Sequence, residues 1–405
     1  MDFITILLFL SILFLNYYLY KRKYLTKSLY IISNIFLIVY FMLSILIYYN
    51  NISDGFEHGI IFGDILGNHF CDEYRYYMDS NILLNHLKNG DFFTWLTGNL
   101  PDYEYIDPNG HPGFGNYNIF VIILTFLKLL GITNTLSLIT IKLALYIPTS
   151  IFIYKIAKMY LSDKLSLLAV IIFSLLPGYS LINSLLMRDS IIIILTLILT
   201  YYVLQKRYNI FVIIPIAILL LFFRSYMLPI IIMTTAFCYK NAKTILSKND
   251  FLYLLFIILL IIFFSRFNFN TEQMRMLQER FADMFGNNIF SSFIVCIYTV
   301  IHIFYDPLLI NFLTSGVLYI QIFSLGNIIA NISSILFIPS YFYSIIKYKN
   351  ERIIYLLKYT FYYSFITGIL VLSKDGYIIN RIALQWLPLY IIIILLPFNK
   401  ELNKK

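Results

Sequence analysis

The chain has 405 residues, 60% of them hydrophobic, 19% aromatic and 13% charged, where soluble domains carry roughly a quarter charged residues. Repeated runs of about 16 to 25 apolar residues exclude a soluble globular domain and predict an all-α polytopic membrane protein with roughly 10 to 13 transmembrane helices. The net charge of +9 sits in short clusters between those runs, so it reads as membrane topology and not as nucleic-acid binding.

The first apolar run, residues 3–20, is preceded by Asp2 and followed by Lys21-Arg22-Lys23. A secretory signal has the charges reversed, so this run predicts an uncleaved helix with its N-terminus outside. The basic cluster at 21–27 then sends a second helix, 28–49, outward, and residues 1–49 form a two-helix N-terminal unit. The three cysteines, Cys71, Cys238 and Cys296, have neither disulfide nor zinc spacing.

Residues 50–131 are expected to form an extracytoplasmic acidic loop with interfacial helices. Between 50 and 115 lie ten carboxylates against two cations, Arg75 and Lys88, and four of the five histidines. Tyr76, Ser80, Leu83, Leu84 and Leu87 recur at helical spacing, and Asn89-Gly90 is a stop signal. Asp72 therefore falls near the N-cap of a short amphipathic helix expected on the membrane surface. The next apolar run, 118–130, is short and contains Lys128. A crossing here would put the later basic clusters on the wrong side, so it reads as an interfacial or re-entrant helix.

A transmembrane core is expected over 132–264, with helices at 134–155, 165–186, 190–204, 209–223, 225–239 and 251–264. Their alternation places Lys155, Lys158, Lys164, Lys206, Arg207, Lys240, Lys243 and Lys248 inside, and leaves Arg188-Asp189 and Arg224 outside. Lys142 falls within a span and reads most simply as a snorkelling lysine. Residues 265–287 form a second external amphipathic segment, with Met274, Leu277, Phe281, Met284 and Phe285 on one face. C-terminal transmembrane helices fill 288–405: one or three crossings within 289–346, a helix near 354–372, an outer turn at 373–380, a last helix near 382–397 and a basic tail.

This alternation gathers Asp72-Glu73, His111, Arg188-Asp189, Arg224 and the Lys374 to Arg381 turn on one side of the membrane. Such a collection suits group transfer from a lipid-linked phosphate donor. Arginines hold the phosphate, Arg by bidentate contacts. One carboxylate takes a proton from an acceptor hydroxyl, and a second helps to hold a divalent metal, Mg2+ or Mn2+. The expected catalytic residues are Asp72, Glu73 and Asp189, with Asp72 and Asp189 as metal ligands; His111, Arg188, Arg224, Lys374 and Arg381 are expected to bind substrate. Each has a plainer reading: Asp72 and Asp189 as helix caps, the arginines as snorkelling side chains and His111 as a surface residue.

Asp72-Glu73-x-x-Tyr76-Tyr77 with Leu83-Leu84 to Gly90 resembles the acidic motif and surface helix in the first external loop of the GT-C glycosyltransferases that use polyprenyl-phosphate sugars. That class includes the protein O-mannosyltransferases and lipid A aminoarabinose transferases. Leu176-Pro177-Gly178 running to Met187-Arg188-Asp189-Ser190 is similar to its proline-containing helix and the external carboxylate that opens the next helix. Arg381 followed by Leu387-Pro388 looks like its closing arginine and proline helix. The resemblance covers residues 50 to 240 and, more loosely, the remainder.

It implies a multi-pass protein of the bacterial cytoplasmic (inner) membrane with an extracytoplasmic site. There a sugar would pass from a polyprenyl-phosphate donor to a glycan, lipid or protein acceptor of the cell envelope. Asp72 would be base or metal ligand, Glu73 its partner, Asp189 a second carboxylate and Arg381 a donor-phosphate contact. Two other readings handle related substrates. An O-antigen or capsule polysaccharide polymerase or ligase would rely on external arginines and histidines, and a lipid-linked glycan flippase or transporter on ionisable residues at mid-membrane depth.

Overall fold

The computed structural model describes residues 2–60, 72–90, 119–206, 209–224, 226–239, 318–370 and 381–399, and all regular structure among them is helical. In chain order the helices are α1 (Phe3–Lys21), α2 (Lys27–Ser53), α3 (Asp72–Lys88), α4 (Ile119–Leu129), α5 (Thr135–Leu143), α6 (Tyr146–Lys158) and α7 (Asp163–Ser174). They continue with α8 (Pro177–Ser184), α9 (Asp189–Gln205), α10 (Ile210–Phe223), α11 (Met227–Tyr239), α12 (Leu318–Lys347), α13 (Glu351–Leu370) and α14 (Leu387–Leu395). His111, Lys374, the 251–264 helix, the 265–287 segment and the 373–380 turn lie outside the described residues.

Four of these elements are long and apolar enough to cross a membrane: α1, α2, the stretch Thr135–Lys158 that joins α5 to α6, and Ser324–Lys347 within α12. A fifth arises if α7 and α8 form one broken span. The chain is therefore a multi-pass membrane protein. The expected single helix over 165–186 is corrected: α7 and α8 meet at a 63° bend. Pro177 explains it, because proline has no N–H for the preceding turn and biases its neighbour away from helix, while its fixed φ suits the first position of a new one.

Two compact units divide the chain. The first comprises residues 1–152, 180–195 and 218–223. In it α1, α2 and α5 pack on one another. Their contacts use small polar side chains, as membrane helix pairs do: Thr5 Oγ1 and Ser137 Oγ are 2.7 Å apart, and Asn16 Nδ2 donates to Asn34 Oδ1 at 2.9 Å. Asp2 caps α1, accepting from the Thr5 N–H at 2.8 Å.

Also in this unit, α3 pairs with α4. Asp72 and Glu73 stand in the first turn of α3, where carboxylates favour the helix dipole. The Gly90 φ of 83° ends the helix in a conformation open to glycine. Tyr76, Ser80, Leu83 and Leu84 are buried, as their spacing predicts, but part of this face is covered by protein: Tyr76 meets Phe120 edge-on at 5.0 Å. Lys128 is buried in the pair, donating to the Tyr77 carbonyl (2.9 Å) and to Asn81 Oδ1 (2.6 Å), with its ammonium 3.6 Å from the Tyr77 ring centroid.

The second unit comprises 153–179, 196–217 and 224–405. Here α14 packs on both α7 and α12, and α11 packs on α13. Phe337 stacks on Tyr390 at 3.8 Å, and the Tyr348 hydroxyl donates to the Leu396 carbonyl at 3.0 Å. The last helix is shorter than the expected 382–397: a turn at 384–386 precedes α14, and Leu396–Phe398 tightens into a 3-10 turn.

Candidate functional site

In the first unit the start of α3 meets the break between α8 and α9. The Leu186 N–H donates to Glu73 Oε1, joining residues 113 apart in sequence. On the same break, the Lys142 ammonium donates to the carbonyls of Ile182 and Leu185. The last carbonyls of a helix have no partner within it and sit at its negative end, so a lysine there answers both deficits. Lys142 thus does not snorkel; it is 6% exposed and pins the end of α8.

Beyond the break, α9 opens at Asp189, which is 1% exposed and lies in the field of the Lys142 charge. Ser190 Oγ donates to Asn183 Oδ1 at 3.1 Å, so α8 and α9 are tied across their junction as well. Three ionisable groups, Glu73, Lys142 and Asp189, therefore share one buried place. Glu73 is 2% exposed, and burial raises its carboxyl to about 7, opposed by the Leu186 N–H and the Lys142 charge. Near neutrality its two protonation states are both populated.

Around this buried group stand partly exposed side chains. Asp72 and Arg75 on the first turns of α3 are half-buried, and so is Arg188 in the break. The Arg188 guanidinium lies 5.9 Å from the ring centroid of Tyr76. The arrangement divides the labour: buried charges fix the backbone, and the carboxylate and guanidinium next to them in sequence retain access.

Of the sequence-predicted residues, Asp72, Glu73, Arg188 and Asp189 thus belong to one unit and its α3 and α8–α9 elements. Arg224 and Arg381 are half-buried in the other unit, where Arg224 lies 5.6 Å from the Tyr226 ring and its charge is felt at Tyr363. Sequence reading missed Lys142 as a site member. A cation inside an apolar run is itself a signal, but its partners are backbone carbonyls, which leave no trace in side-chain spacing.

Among the described residues no three His, Cys, Asp or Glu side chains are grouped to hold a metal ion. Asp72 alone of the two expected ligands keeps access, and Mg2+ sites need one or two carboxylates with substrate phosphates supplying further oxygens. No protein-family model, curated protein or solved structure matches the chain.

Proposed function

We propose that the protein is a membrane glycosyltransferase that moves a sugar from a polyprenyl-phosphate-linked donor to a glycan, lipid or protein acceptor on the extracytoplasmic side. The observation that carries this reading is the Leu186 N–H to Glu73 hydrogen bond, because it unites the acidic motif of α3 with the Arg188-Asp189 pair. A carboxylate able to accept a proton and a guanidinium able to hold a phosphate are thereby presented by two elements fixed to each other.

In this reading the Asp72 carboxylate accepts the proton of the acceptor hydroxyl. The acceptor oxygen bonds to the anomeric carbon as the bond from that carbon to the phosphate oxygen breaks. Polyprenyl phosphate leaves with the electron pair, and Arg188 stabilises its charge. Glu73, Lys142 and Asp189 are positioning residues that hold the α8–α9 break. The charge pattern of the sequence adds His111, Arg224, Lys374 and Arg381 as substrate-binding residues. A Mg2+ or Mn2+ ion, if bound, would sit on Asp72 and the substrate phosphate.

Full-length protein purified in detergent, supplied with polyprenyl-phosphate sugars and envelope acceptors, tests the assignment. Asp72→Asn is expected to lower turnover by roughly 100-fold or more while donor affinity stays near wild type, the range for loss of a general base. Unchanged turnover in that variant would remove Asp72 from the chemistry.

One observation favours a second reading, a lipid-linked glycan transporter: the buried Glu73–Lys142–Asp189 group has the make-up of a proton-responsive element. Proteoliposomes separate the two. Lipid translocation without formation of a glycosylated product supports transport.

A further inference from the structure

We infer that the second unit contains a subsite for the sugar-phosphate headgroup of a lipid-linked glycan, in which the carboxamides of Asn327 and Gln385 bind sugar hydroxyls and Arg381 the phosphate. The inference rests on the lipid-linked substrate reading and gives it a recognition element.

Both amides are 2% exposed, and among the described residues neither the nitrogen nor the oxygen of either has a hydrogen-bond partner. Leaving a buried polar group unmade costs about 1–3 kcal/mol, and an orphaned carboxamide is rare enough to require a reason. A ligand that supplies acceptors and donors together is such a reason. Sugar hydroxyls do both, as does a carboxamide, whereas a phosphate at neutral pH mainly accepts.

Both amides precede one helix–helix contact. Two contacts align α12 with α14: Phe337 against Tyr390, and Tyr348, just past α12, against Leu396. The two helices therefore run in the same direction. Counting back along α12 at about 1.5 Å per residue, Asn327 lies about 15 Å before Phe337; Gln385 stands in the turn at 384–386 just before α14, and Arg381 precedes that turn. Both amides therefore lie on the same side of the Phe337–Tyr390 contact.

Trp386 follows Gln385 and meets Tyr363 edge-on at 6.2 Å, and Tyr363 senses the Arg224 charge. This unit thus combines arginines for a phosphate, aromatic rings of the kind that stack on sugars, and two buried amides with no hydrogen-bond partner among the described residues.

Binding of two lipids to the full-length protein in detergent tests it: a polyprenyl-phosphate hexose and the same polyprenyl phosphate without sugar. Wild type is expected to prefer the sugar-bearing lipid. Gln385→Met and Asn327→Leu are each expected to weaken that lipid roughly tenfold or more, because a site built to hydrogen-bond a hydroxyl loses most when the bond is lost. Affinity for the sugar-free lipid should remain within about twofold.

Thermal stability without lipid should not fall in these variants, since an orphaned polar group is being removed. Wild-type binding of the hexose lipid that both variants retain would overturn the subsite alone. A lowered midpoint without lipid would mark the amides as structural and overturn it too. No binding of either lipid to wild type would overturn the substrate reading and the subsite with it.

Discussion

Glu73 stands in an environment far from that of an ordinary carboxyl. With its carboxyl raised from 4.5 to about 7, the folded protein binds more protons than the unfolded chain between those values, so this group's stabilisation is complete below about 4.5 and is lost as pH rises through about 7. A thermal midpoint measured in detergent across this window should decline with pH, and Glu73→Gln should flatten the decline. Lys128 has the opposite sign. Burial lowers its ammonium to about 7, so between about 7 and 10.5 the unfolded chain binds more protons and stability rises with pH. Lys128→Met should reduce that rise while leaving the acid side unchanged.

Lys142 tests the buried group as a unit. Its removal takes the cation from beside two buried carboxyl groups and a donor from the end of α8, so Lys142→Met should destabilise by about 3–5 kcal/mol, the range for breaking a buried pair. Adding Glu73→Gln should restore part of the loss, because a neutral amide no longer needs the cation. If the double variant were as unstable as the sum of the singles, Glu73 and Lys142 would not be coupled.

Among the elements, α3 was the most legible in sequence. Its start at Asp72, its buried Tyr76–Leu84 face and its stop at Gly90 follow from dipole preference, helical period and glycine's tolerance of positive φ. What the period could not reveal is what covers that face, because an apolar stripe reads alike against lipid and against α4. The α7–α8 bend was hidden for a different reason. Hydropathy runs continuously through Leu175-Leu176, and only the backbone chemistry of Pro177 breaks the helix. Lys142 was legible as a charge in the wrong place, but its partners were not. The α8–α9 break is where these limits meet, and the carboxylate and guanidinium proposed for chemistry are placed by it.

At the scale of the whole molecule, each unit is assembled from separate stretches of sequence, and α6, α8, α9 and α10 contribute residues to both. Apolar content alone established a multi-pass protein; the side of the membrane on which Asp72 stands rests on the distribution of Lys and Arg. That distribution makes a sharp claim, because the break between α12 and α13 and the end of α3 must then face opposite compartments. Asn89, beyond α3, and Lys349, between α12 and α13, are both exposed. In a chain with Cys71, Cys238 and Cys296 replaced by alanine, a membrane-impermeant maleimide applied to intact cells should label Asn89→Cys. Lys349→Cys should be labelled after permeabilisation only. Labelling of both from outside would break the alternation between them, and the reverse pattern would place Asp72 and Arg188 in the cytoplasm, where the reaction would have to draw on a different donor pool.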